Sequence, residues 1–178
     1  MNFKYKFGWT EVIAMITGSL VIVIIDLIFR YNNFMYADIV KSVLIVSLAA
    51  LFGSPTGVVA ALASSLLLAA ILKLDVSVII VAAYIIIALS IGHYASVFGI
   101  RDGLFKGKNI LIFFLVKVLA EMFAWLFFLP LLDFYLTREN LFDTIRQNMM
   151  TVLAFTAADV LLIPAFMLVS YLISKKDR

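Results

Sequence analysis

The chain has no cysteine, and its 178 residues include one histidine, three prolines and only 14% charged side chains. Without cysteine there is no disulfide framework, no thiolate nucleophile and no Cys-based metal site. A lone His93 excludes a histidine cluster as well. No Gly-x-x-x-x-Gly-Lys-Ser/Thr loop is present, so the chain carries no phosphate loop of its own for ATP work. The scarcity of charge excludes an ordinary soluble surface, which holds roughly one-quarter charged residues.

What fills the space is apolar. Hydrophobic residues make up 65% of the sequence, and the mean hydropathy is +1.15. Lipid is therefore the solvent for most of the surface, and the expected fold is all-α, because only helices satisfy their own backbone hydrogen bonds within one segment in a bilayer. Six apolar segments are read near Thr10–Ile28, Ala37–Phe52, Thr56–Leu72, Val76–Phe98, Asn109–Pro130 and Asn148–Ile173. At about 20 residues per span they use two-thirds of the chain, leaving one transmembrane domain over 1–178 and almost nothing outside the membrane. Asp38 and Lys41 shorten the apolar part of the second segment and are read as a structural ion pair near a membrane boundary. Lys4 and Lys6 ahead of the first segment resemble a signal peptide, but Asp26 and Arg30 follow its apolar run in place of a small-residue cleavage pattern, so the reading is a retained helix. Asp133–Arg146 is the longest polar connection and is expected to carry at most a short surface helix.

The excess of basic residues, a net charge of +3, sits at segment ends and sets orientation rather than nucleic-acid binding. With the N-terminus cytoplasmic, that side collects eight basic residues: Lys4, Lys6, Arg101, Lys106, Lys108, Lys175, Lys176 and Arg178. The opposite side holds Arg30, Lys41, Lys73, Arg138 and Arg146, accompanied by Asp26, Asp38, Asp75, Asp133, Glu139 and Asp143. Both termini are expected in the cytoplasm of a prokaryotic cell, with the protein multi-pass in its plasma membrane.

Charges inside the apolar segments are the candidates for function. Lys117, Glu121 and Trp125 recur every four residues in the fifth segment, and Lys117 and Glu121 lie 8 and 12 residues beyond Asn109, near mid-membrane. A charge at that depth costs about 2.5–3.5 kcal/mol on insertion scales and usually faces a cavity or a partner. The bland reading is an internal Lys–Glu pair that holds the bundle together. Asp159, 11 residues beyond Asn148, reaches a similar depth in the sixth segment. Tyr84 and Asn148 belong to the outer half, where an incoming solute meets them first; Trp125 serves either as a stacking platform or as an interfacial anchor. His93 falls near an inner helix end, which favours packing over catalysis.

The turn Leu51-Phe52-Gly53-Ser54-Pro55-Thr56-Gly57 joins two spans with almost no loop, and Ala60, Ala61, Ser64 and Ser65 after it allow close helix approach. Together with Lys117-Val-Leu-Ala-Glu121-Met-Phe-Ala-Trp125 and Pro130-Leu-Leu-Asp133, this turn resembles the substrate-binding S-component of energy-coupling factor (ECF) vitamin transporters, in the riboflavin-transporter-like branch that includes hydroxymethylpyrimidine and pyridoxine-type members. The resemblance covers most of the chain. It implies a six-helix bundle that captures a vitamin or precursor, hydrolyses nothing itself, and needs no cofactor. It also implies three partners: a transmembrane coupling subunit and two cytoplasmic ATPase subunits. Relatives often carry amides where this chain has Lys117, Glu121 and Asp159, so the resemblance fixes the family more tightly than the substrate. Ala14 and Gly18, a small-x-x-x-small pair in the first segment, then become the expected face for the coupling subunit, with intramolecular packing as the alternative. Two carboxylates at mid-membrane against Lys117 favour a weakly basic ring, so hydroxymethylpyrimidine or a pyridoxine-type ligand ranks first and riboflavin second. Two other readings stand beside it: an intramembrane enzyme using Glu121 and Asp159, and an assembly protein without a ligand.

Overall fold

The computed structural model describes the backbone of residues 8–31, 37–73, 77–99, 107–138 and 140–176, and their side chains except at 37, 107, 110 and 159–176. The described residues are helical almost throughout: α1 (Trp9–Tyr31), α2 (Ala37–Phe52), α3 (Ser54–Leu72), α4 (Val78–Val97), α5 (Gly107–Met122), a π-helical turn (Phe123–Phe128), α6 (Leu129–Thr137) and α7 (Leu141–Lys176). Because α5, the π turn and α6 run on without a break, the described residues form six rods. Four are long and apolar enough to cross a membrane: α1, α3, α4 and the stretch Leu111–Thr137. The 16 residues of α2 give a rod of about 24 Å at 1.5 Å per residue, shorter than the hydrocarbon core of about 30 Å. By the same measure α7, with 36 residues, is about 54 Å long, so part of it extends beyond any bilayer core. Both termini and residues 101–106, on which the expected orientation depends, lie outside the described residues.

The turn between α2 and α3 forms at the residues read for it. Gly53 takes φ 98°, in the left-handed region that a side chain resists, and its N–H returns to the Ala49 carbonyl at 2.9 Å. Pro55 falls in the first helical turn of α3, where its missing N–H costs nothing. The small residues are used for close packing inside the bundle. A Cβ on Gly57 would stand 2.6 Å from that of Ala49, and one on Gly92 of α4 would run into the Ser54 backbone. Ala60, Ala61, Ala83, Ala88 and Ala95 are all buried where α2, α3 and α4 meet. Large side chains such as Ile13, Ile16, Leu20, Leu66, Leu115 and Leu119 point outward, as expected where lipid replaces water.

Two boundaries differ from the sequence reading. The fifth rod does not stop at Pro130 but continues to Thr137. Proline in an α-helix clashes with the carbonyl four residues back, and the preceding wide turn, closed by the Leu129 N–H on the Ala124 carbonyl, relieves that clash. The expected connection Asp133–Arg146 therefore shrinks to 138–140, with Arg138 ending α6 at φ 62°.

Candidate functional site

Lys117 and Glu121 stand one turn apart on α5, both 0% exposed, with Nζ and Oε1 separated by 2.6 Å. That separation is at the short end for a charge-assisted hydrogen bond, and pairing is what makes two charges tolerable in a dry interior. Ser42 of α2 donates from Oγ to the same Oε1 at 3.3 Å, fixing α2 against α5. The other carboxylate oxygen, Glu121 Oε2, has no hydrogen-bond partner among the described residues. Buried acceptors are rarely left this way, and each such group calls for an occupant or an explanation.

Above Glu121 by one turn, Trp125 is buried within the π turn. Its ring meets Tyr84 of α4 edge-on, with centroids 5.7 Å apart and planes at 82°, and meets Phe155 of α7 at 5.4 Å. The three rings tie α4, the π turn and α7 into an aromatic wall, an arrangement worth about 0.5–1.5 kcal/mol per pair beyond the area buried. The indole Nε1 is buried and unpartnered, as is Asn148 Nδ2 on α7. The Tyr84 hydroxyl donates to the Asp38 carbonyl at 3.4 Å, and Lys41 Nζ lies 5.3 Å from the Tyr84 ring centroid.

Four of the six residues read as ligand contacts are therefore brought together: Lys117, Glu121, Trp125 and Tyr84. The first two bond to each other, Trp125 and Tyr84 pack ring against ring, and Trp125 belongs to the wall rather than to an interfacial belt. Asn148 is seated with its amide nitrogen buried, but no described side chain bonds it. The side chain of Asp159 lies outside the described residues. The interface pair divides: Ala14 is buried and Gly18 faces α2, where an added Cβ would meet Leu48 Cδ1 at 2.6 Å. Their smallness thus serves the approach of α1 to α2. They also line a mostly apolar groove of about 260 Å3 with Thr17, Val21, Leu48 and Leu51.

The Asp38–Lys41 pair does not form as expected. Asp38 bonds Arg30 at 3.0 Å, Arg30 bonds the buried Asp26 at 2.6 Å, and Lys41 turns inward to Ser65 Oγ at 3.0 Å. Two participants escaped the sequence reading. Ser42 is one serine among many and carried no signal; Ser65 was read only as a small packing residue. The Asp26–Arg30 spacing of four on one helix was a usable signal for the pair that forms. Among the described residues no group of acidic or histidine side chains is arranged to hold a metal ion. The chain matches no protein-family model, no curated protein and no solved structure.

Proposed function

We propose that the chain is a membrane-embedded binding subunit of the ECF S-component type, which captures a vitamin or vitamin precursor for uptake driven by partner ATPase subunits. The observation that carries this reading is the group of buried, unsatisfied polar atoms around Glu121: its free Oε2, and the Trp125 Nε1 one turn away. A flat heterocycle with a hydroxymethyl or amino group offers both a donor for the carboxylate and an acceptor for the indole. Asn148 Nδ2, also buried without a hydrogen-bond partner among the described residues, would bond such a ligand from α7. The aromatic residues Tyr84, Trp125 and Phe155 supply the apolar wall that holds a ring in place. Because Lys117 already neutralises Glu121, the preference for a weakly basic ring now rests on Asp159, and hydroxymethylpyrimidine or a pyridoxine-type ligand stays ahead of the larger riboflavin. Uptake would proceed through a transmembrane coupling subunit, reached across the groove by Ala14 and Gly18, with both termini in the cytoplasm.

A second reading is favoured by one observation. An ion pair at 2.6 Å that neutralises itself is also what a ligand-free assembly protein would use to hold α5. The deciding experiment is mass spectrometry of small molecules released from the purified chain, followed by calorimetric titration with hydroxymethylpyrimidine, pyridoxine and riboflavin. Tight binding of one of them, weakened in E121Q, supports the binding subunit. No released molecule and no binding of any of the three would leave the assembly protein as the reading.

A further inference from the structure

A second polar site stands at one end of the bundle, apart from Glu121. There α1 and α3 end and α2 and α4 begin, so the site lies where a membrane boundary would meet the bundle. A cleft of about 240 Å3 opens between them, lined by Arg30, Asp38, Lys41, Ser65, Leu72 and Ser77 among others. Lys41 is only 7% exposed, yet among the described residues no carboxylate reaches ion-pair distance and its one side-chain hydrogen bond is to Ser65. The two nearby carboxylates, Asp26 and Asp38, each bond Arg30 through Oδ1 rather than Lys41, and Asp26 Oδ2 is buried without a hydrogen-bond partner among the described residues. An ammonium ion so deeply placed normally has an anionic partner.

Charge constrains what that partner is. Asp26, Arg30, Asp38 and Lys41 already sum to zero, so a purely anionic ligand would leave the cluster with net negative charge. A ligand with an anion and a cation side by side adds none. Its anion would take the remaining Lys41 donors, and its ammonium would take Asp38, which stands on the rim one helical turn from Lys41 on the same face of α2. The size is informative as well: the cleft is smaller than pockets that enclose whole drug-sized ligands, so it suits the polar end of a larger molecule. Arg30 and Leu72 also line a second, mostly apolar groove of about 490 Å3, completed by Leu27, Ile28 and Tyr31. The charged cleft and the apolar groove thus meet along these two residues.

We infer that cleft and groove together hold one aminophospholipid, with its phosphate on Lys41 and Arg30, its primary ammonium on Asp38, and an acyl chain along Leu27, Ile28 and Leu72. Arg30 keeps free guanidinium donors for the phosphate beyond the two used on carboxylates. Tyr31, exposed at the end of α1, stands beside the groove as an aromatic residue at headgroup level.

The test is native mass spectrometry of the full chain released from detergent with equal amounts of phosphatidylethanolamine, phosphatidylcholine and phosphatidylglycerol. Phosphatidylethanolamine should be retained about tenfold over either competitor, since phosphatidylcholine has no ammonium N–H to donate and phosphatidylglycerol has no cation. D38N, a change at a rim side chain that is 57% exposed, should erase most of the preference for phosphatidylethanolamine over phosphatidylglycerol. K41M should lower retention of both by a similar factor. Soluble phosphoethanolamine added in equimolar amount separates the sources, because it lacks the chain that the groove would hold and should leave the lipid bound. Equal retention of the three lipids, an unchanged preference in D38N, or displacement of the lipid by equimolar phosphoethanolamine would each overturn the assignment.

Discussion

Replacing Glu121 by Gln separates two roles that its geometry allows. The carboxylate is fully buried, bonded to Lys117 at 2.6 Å and to Ser42 at 3.3 Å. E121Q keeps the size and the Ser42 acceptor but takes from the buried Lys117 ammonium the carboxylate charge that it bonds at 2.6 Å. Removing one partner of such a pair costs about 3–5 kcal/mol, because a buried charge loses its bonded counter-charge. The double variant K117M/E121M removes both charges and should return stability to within about 1 kcal/mol of the parent, since replacing a whole buried pair by apolar groups of similar volume is often neutral. Stability would be followed by thermal unfolding in detergent, and ligand occupancy by mass spectrometry of the released small molecule. If Glu121 binds ligand, the double variant is stable but empty. If the pair only holds α5 in place, the double variant is stable and occupied. A single E121Q as stable as the parent would refute the reasoning, because it would mean that Lys117 was never dependent on Glu121.

Other substitutions probe other links. G92A should lose about 1–3 kcal/mol of stability, because the new methyl meets the Ser54 backbone, which cannot yield as a side chain would; an unchanged unfolding midpoint would show that α3 and α4 are less close than described. T17W places bulk at an exposed position of the α1–α2 groove while Gly18 and Leu48 keep their own side chains, so it should keep thermal stability and ligand binding while losing pull-down of the coupling subunit. Retained pull-down would remove the groove from the docking face. The cysteine-free background makes K106C and R138C clean labelling sites, expected to react from opposite sides of the membrane. Labelling of both from the same side would overturn the six-span orientation.

The helices were legible because composition leaves a lipid-solvated chain few alternatives, and the α2–α3 turn because Gly53 and Pro55 each have a backbone reason to be there. The Lys117–Glu121 pair could be seen from spacing alone, since residues four apart on a helix are neighbours. What spacing could not show was which helix faced them. Ser42 becomes a partner only through the packing of α2 on α5, and Lys41 abandons its near neighbour Asp38 because Arg30, eight residues earlier, reaches that carboxylate first. The end of the fifth rod was misread for a local reason. Pro130 normally stops a helix, and nothing in the residues before it announces the wide turn that lets the helix pass.

That wide turn also changes how the rod would respond to a change in length. A π turn is an α-helix holding one residue more than its pitch allows, with the helices on either side in normal register. In an ordinary helix, deleting one residue swings everything beyond it by about 100° and scrambles the buried face. Deleting Phe127, an exposed residue of the bulge, would instead remove the surplus, leaving α5 and α6 facing their present neighbours while Trp125 is drawn back into a regular spiral. The bundle carries a spare residue one turn from the buried Lys117–Glu121 pair, so the shape of the site is separable from the architecture that holds it.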